Sequence, residues 1–381
     1  MIDTIVLTFT KDMFIISQPD RFTPSARWAL AANTKQFSGI QSKQNPTKKE
    51  LIAGIYKPRL TLSNRVHPLG GQVIMLKVEL SLPKLLYGNN FDELQYKDFK
   101  AVKDKLVLIL EHMGVIITPA VLAKAPISAI HYAKNIALTD GSIPYHYINK
   151  IKEANIKFSF DVNQTDYRND GHCYKWHCNS YEVAFYDKIL DLAKAKQSSK
   201  RSVEKDSDIQ LDLFKTFETR NKFEVLRIEA RLNKRSKIKQ LFKTLGIKAD
   251  LTFKKLFKPA IAKKVLVHYL DELESKRSVL LDYKPKDDKS LLTALIINNP
   301  TLSSNKIMQM FGFKKALETC NTRELRTMLT KYNQRSWHRL MADVRKVKLP
   351  VYQSSFEILR GHILHFKALK IASYLTGLYS I

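Results

Sequence analysis

Apolar and polar side chains alternate with a period of two over Thr4–Phe9, Val73–Leu82, Ala129–Ile136, Lys157–Asn163, Tyr174–Lys188 and Val225–Leu232. This is the pattern of strands with one buried face. Between them, Asp98–His112 and Tyr145–Ala154 carry apolar residues at helical spacing. Many of the strands follow one another too closely for parallel crossovers, so the expected fold is α+β with an antiparallel sheet. Lys194–Asp208 is charged, Ser-rich and aperiodic, and is predicted to be a mobile loop within the first domain.

A second linker is predicted at Lys284–Lys289, with short helices after it at Ser290–Asn298, Ser303–Phe311, Thr322–Lys331 and Ser336–Val347. The expected division is a sheet domain over 1–285 and a small helical domain over 286–381. In the latter, a Ser start and a Gly312 stop predict a capped short helix and turn. Two readings stay open there. One is a helix-turn-helix that lays Arg323, Arg326, Lys331, Arg335 and Arg339 on duplex DNA; the other is a bundle that caps the first domain. The tail after Tyr352 is expected to form another helix, suited to a dimer contact.

Charge narrows the partner. The chain has 64 Lys+Arg against 36 Asp+Glu and a formal net charge of +28, a surface biased toward a polyanion, with nucleic acid foremost. Between Lys222 and Lys264 there are 14 Lys+Arg against 3 Asp+Glu, with Phe242, Phe253 and Phe257 interleaved. Lys234, Arg235 and Lys237 in this stretch are candidates for tracking phosphates. No apolar run approaches the roughly 20 residues of a membrane span. The apolar start carries Asp3 and lacks a basic leader, and the three cysteines are too few for a disulfide framework. The expected location is a bacterial cytoplasm.

Two strands carry candidate chemistry. On Tyr181–Lys188, Glu182, Ala184, Tyr186 and Lys188 fall on one face. A tyrosine there is either a good strand former or a nucleophile, and an ammonium two residues away favours the phenolate. On Val225–Leu232, Arg227, Glu229 and Arg231 share a face. That trio reads as a surface ion-pair ladder, or as a metal-ligating Glu229 flanked by guanidiniums for a phosphate. His172, Cys173, His177 and Cys178 lack zinc spacing, and adjacent strand residues point to opposite faces. Trp176 is expected to pack or stack instead.

Several segments resemble, in order, the filamentous-phage replication initiators, the gene II replication protein family. They are Met1–Leu7, Val78–Asn90, Ile127–His131, Val183–Lys188, Leu226–Arg231, Phe311–Phe313 and Arg335–Trp337. The resemblance implies a rolling-circle nicking and joining endonuclease. Tyr186 would attack a phosphodiester and stay on the 5′ end, Lys188 would activate it or hold phosphate, and Glu229 would bind Mg²⁺ or Mn²⁺. It also implies duplex and single-stranded origin DNA, a host helicase and a host polymerase as partners. The family pattern has an Asp where this chain has His131, so His131, with Asp161 as fallback, becomes the second metal ligand, or else a core histidine. The alternative to the enzyme is a basic DNA- or RNA-binding regulator without chemistry.

Overall fold

The fold was described from a computed structural model, which describes residues 1–31, 35–37, 39–66, 71–154, 165–168, 171–197, 224–275, 279–320, 322–330, 334–350 and 355–372. The strands are β1 (Ile2–Thr10), β2 (Ile15–Ile16), β3 (Gln41–Gln44), β4 (Arg59–Val66), β5 (Gln72–Ser81), β6 (Val115–Ile116), β7 (Ile127–Leu138), β8 (Thr165–Arg168), β9 (Cys173–His177), β10 (Tyr181–Asp187) and β11 (Glu224–Leu232). Nine of them form one sheet in the order β3-β4-β5-β1-β7-β11-β10-β9-β8. Every neighbouring pair is antiparallel, as the spacing predicted.

Alternation divides the two faces of this sheet. Ile5, Leu7, Ile130, Tyr132, Phe185, Leu226 and Ile228 are buried in the main hydrophobic core. The helices Pro144–Ala154, Pro259–Glu274 and Ser355–His365 pack on that side. Fully burying one such side chain is worth about 1.5–3 kcal/mol, so the register is firmly set: a slip of one residue would turn the whole apolar set outward. The other face carries Asp3, His131, Glu182, Tyr186, Arg227, Glu229 and Arg231 around a cleft.

Several expectations are corrected in detail. The run Tyr174–Lys188 is two strands joined at Cys178–Ser180, where Cys178 N donates to Tyr181 O at 2.9 Å. Lys188 does not extend the strand but opens the helix Lys188–Gln197, whose start is held by Leu190 N donating to Asp187 Oδ1 at 2.9 Å. The expected loop from Lys194 is therefore helical to Gln197, and its remainder, like the strand expected at Lys157–Asn163, lies outside the described residues. Gly312 does not stop its helix, which runs Ser304–Thr319. The apolar stripe Ile307, Met310, Phe313 continues through Gly312, and burying Phe313 outweighs the cost of about 1 kcal/mol for a mid-helix glycine.

A separate apolar cluster joins Leu280, Leu291, Leu295, Met310, Trp337 and Val344, and ends at Leu349. Asp287 caps its helix Asp288–Asn298 through a reciprocal pair of bonds with Ser290. The tail does not stay with this unit. Phe356, Leu359 and Ile363 belong to the main core beneath the sheet. Among the described residues no helix is long and apolar enough to cross a membrane.

Candidate active site

The strand register builds the site. Tyr186 lies opposite Arg227, and Arg227 opposite Asn135; one step along are Ala184, Glu229 and Ala133, and beyond them Glu182, Arg231 and His131. Paired residues share a face, so Glu229 sits between two alanines with long polar chains on every diagonal. The small neighbours leave a depression, and diagonal positions on a sheet are within reach of long side chains.

Five groups converge there. Tyr186 Oη donates to Glu229 Oε2 at 3.1 Å. Arg231 forks onto the same carboxylate, Nε to Oε1 at 2.9 Å and Nη2 to Oε2 at 3.1 Å, and reaches Glu182 at 2.8 Å. Arg227 Nε lies 3.7 Å from Glu229 Oε2, and His131 Nδ1 lies 4.0 Å from Oε1. Glu229 is only 2% exposed and Arg227 3%. The cleft above them has a volume of about 720 Å³, with Asp3, Tyr56, Arg59, Lys84, Lys175 and Asp191 among its walls.

Arg227 is held from behind. Its Nη1 donates to Asn135 Oδ1 at 3.1 Å and Asn90 O at 3.2 Å, and its Nη2 to Asp3 Oδ1 at 2.7 Å. Its buried Nε makes no hydrogen bond. A buried donor without an acceptor costs about 1–3 kcal/mol; Nε keeps only its ion pair with Glu229 at 3.7 Å, so an anion that took the place of Glu229 there would gain a hydrogen bond the fold does not supply.

Burial pushes the Tyr186 phenol well above its ordinary value, against the pull of Arg227. Burial alone would also raise the Glu229 carboxyl. Arg231, then Arg227, outweigh it and hold that carboxyl far below the usual carboxylate range. Burial lowers His131, leaving a neutral imidazole near neutral pH. At rest the site therefore holds a neutral phenol hydrogen-bonded to an ionised carboxylate.

Of the residues singled out in the sequence, Tyr186, Glu229, His131, Arg227 and Arg231 are brought together. Lys188 is not: it is fully buried, and its Nζ donates to Asn90 Oδ1 at 3.0 Å, so the phenol's cationic neighbours are the two arginines. Asp161 lies outside the described residues. The remaining residues fit a divalent cation poorly, because both Glu229 oxygens already accept from Arg231 and one also from Tyr186. His131 Nε2, for its part, is 3.1 Å from Asn233 Oδ1. Among the described residues no group of three His, Cys, Asp or Glu is placed to hold a metal ion. His172, Cys173, His177 and Cys178 do not converge either, and Trp176 packs between Tyr174 and Phe185. Asp3, Asn90 and Asn135 were missed, and the sequence puts Glu182 on the Tyr186 face without a role. The signal for two of them was a polar residue interrupting an apolar strand: Asp3 in Ile-Asp-Thr-Ile-Val, and Asn135 in Lys-Asn-Ile-Ala-Leu.

The basic candidates fall in separate places. Lys234 is exposed and precedes the helix Arg235–Thr244. Arg235 lines a second hollow with Lys239 and Lys243 and donates to Ile127 O at 3.3 Å. Lys237 points elsewhere, with its ammonium 4.3 Å from the centre of the Tyr181 ring. Arg335 and Arg339 are exposed on the helix Gln334–Val344, Arg326 is half-buried on Thr322–Thr330, and the side chain of Arg323 lies outside the described residues. Compared with protein-family models, curated proteins and solved structures, the chain matches none.

Proposed function

We propose that this protein is a DNA nicking and joining enzyme that transfers a strand to Tyr186. The observation that carries the reading is the meeting, on the floor of one cleft, of a tyrosine hydroxyl, a carboxylate that accepts its hydrogen bond and a buried arginine with a donor that makes none. In a chain of net charge +28, the anion suited to that cleft is a phosphodiester.

The steps use the protein's own groups. A phosphate that reaches the floor of the cleft takes a charge-assisted bond from Arg227 Nε and others from Arg231. Glu229, relieved of part of its ion pairing, becomes basic enough to accept the phenolic proton. Tyr186 Oη attacks phosphorus, the bond from phosphorus to the 3′ oxygen breaks, and that oxygen takes up a proton from solvent as a 3′ hydroxyl. The 5′ phosphate stays on Tyr186. Reversal by a 3′ hydroxyl rejoins the strand without an external energy source. The order of motifs that resembles the filamentous-phage initiators supports the same reading, and on that resemblance the reaction would occur at a replication origin in a bacterial host, with helicase and polymerase acting on the opened strand.

The test is denaturing electrophoresis of a covalent protein–DNA adduct, on supercoiled DNA carrying the gene's own neighbourhood. The adduct is expected with the native protein and absent with Tyr186→Phe, which should bind the same DNA equally well. Tight, salt-sensitive binding without cleavage in the native protein would instead identify a regulator.

A further inference from the structure

The tail of the chain reaches the candidate site from behind. β1 pairs with β7 only as far as Tyr132, so among the described residues Lys134–Leu138 have no strand on that side. The loop Asn89–Leu94 fills the edge. Glu93 Oε1 accepts from Asn135 N at 2.7 Å, and Asn135 Nδ2 donates to Phe91 O at 2.8 Å. Glu93 is buried and also accepts from Lys134 Nζ at 2.6 Å. The loop thus supplies Asn90 O to Arg227 and Asn90 Oδ1 to Lys188.

The segment after the helix Ser355–His365 clamps this loop. Leu369 N donates to Glu93 Oε2 at 2.8 Å, Glu93 N to Leu369 O at 3.0 Å, and Ile371 N to Asp92 Oδ1 at 2.6 Å. Lys370 Nζ lies 3.6 Å from the centre of the Tyr87 ring. The side chains of Leu369 and Ile371 complete a small core with Phe91, Ala137, Leu192 and Val225. Ala137 and Val225 neighbour Ile136 and Leu226, which face the main core, so by alternation this patch is on the cleft side of the sheet. Residues 366–369 therefore carry the chain around the sheet, turning at Phe366, which has a φ of 53°. A non-glycine residue in that region is held there by its surroundings.

We infer that Asn135 and Glu93 are positioning residues through which the docked segment Leu369–Ile371 fixes Arg227, so that its guanidinium stays beside Glu229 at the floor of the cleft. Among the described residues the guanidinium's hydrogen bonds go to Asn135, Asn90 O and Asp3, and two of these three belong to the clamped edge. Loosening the clamp lets the fork rotate and redirects the donor that meets the phosphate. This deepens the strand-transfer reading and rests on it for its kinetic arm alone.

The experiment compares native protein with Asn135→Ala, which removes the contact to Arg227, and with Asp92→Ala, a half-buried change that removes only the acceptor for Ile371 N. The first readout is the Arg227 Nε–Hε signal in ¹⁵N-arginine-labelled protein, assigned by its loss in Arg227→Lys. The second is the single-turnover rate of adduct formation beside oligonucleotide affinity. Both variants should shift and broaden the arginine signal. Asn135→Ala should slow adduct formation about tenfold, and Asp92→Ala about threefold, while affinity stays within about twofold. An Arg227 signal unmoved in Asp92→Ala, or affinity falling in step with rate, would overturn the inference. If native protein forms no adduct, the strand-transfer reading fails by itself, and the arginine signal still decides whether the clamp holds Arg227.

Discussion

Replacing Glu229 with Gln separates the roles of carboxylate and phenol. Gln fills the same volume between Ala184 and Ala133 and still offers Arg231 an oxygen, but it cannot take up the Tyr186 proton. An ordinary phenol titrates near pH 10, so at pH 7.5 only about one in 300 is ionised, and burial of Tyr186 lowers that fraction further. A positioned base recovers about 10²–10⁴ of such a deficit. The expected fall in single-turnover adduct formation at pH 7.5 is therefore about 300-fold. The pH profile carries the sharper signature. Glu229 in the native protein is ionised throughout the neutral range, so its rate should be flat from about pH 6 to 9. Glu229→Gln must rely on spontaneous ionisation, and its rate should climb about tenfold per pH unit over the same range. The assay is quench-flow with a labelled oligonucleotide and denaturing gels, with circular dichroism confirming that the variant is folded. A native rate that itself climbs with unit slope, or a variant within about threefold of native at pH 7.5, would refute the assignment of Glu229 as base.

Two further outcomes follow from the same carboxylate. Because Arg231 and Tyr186 occupy both its oxygens, free protein should bind Mn²⁺ no more tightly than millimolar by electron paramagnetic resonance. Micromolar binding that disappears in Glu229→Gln would show the ion pair yielding to a metal. For stability the sign is that of a depressed acid. Glu229 contributes fully above its ordinary value of 4.5 and loses that contribution as pH falls below it. The gap in urea-unfolding free energy between native and Glu229→Gln should therefore narrow from about pH 6 to about pH 3. Asp187 and Glu224, raised by burial, change with pH in both proteins alike and cancel. A gap that widens on acidification would mean that the arginines do not stabilise the ionised carboxylate.

Strands with an unbroken period of two were legible in the sequence, and with them the sharing of faces by Tyr186, Glu182 and Ala184 and by Arg227, Glu229 and Arg231. Which strands lie side by side was not. β1 sits between β5 and β7, and β7 meets β11, pairings over long sequence separations that no local pattern encodes. Asp3 and Asn135 became site residues only through that order. Lys188 illustrates the opposite failure: extending the alternation by one residue placed it beside Tyr186, but Asp187 caps a helix and swings Lys188 toward Asn90. In the strand β4, Arg59–Val66, Leu60 and Leu62 alternate with Arg59, Thr61 and Ser63, but Asn64 ends the apolar face after two positions, too short a run to stand out. The helix Pro259–Glu274 was legible in the spacing of Ile261, Val265, Tyr269 and Leu273.

The arginine clamp draws together parts of the chain that are far apart in sequence. Arg227 is translated about 220 residues after Asp3, and Leu369 and Ile371 follow about 140 residues after Arg227. At roughly 5–20 residues per second, about 10 to 45 s separate β1 from β11 on the ribosome. During that interval β1 can pair with β5 and β7, but Asp3 has no Arg227 to hold. A chain clipped before residue 369 would lose the bonds from Leu369 and Ile371 to Glu93 and Asp92, and with them the support behind Arg227. On the strand-transfer reading, the wiring that complicates folding then serves as an interlock, because a copy without that segment is left with a loosened Arg227.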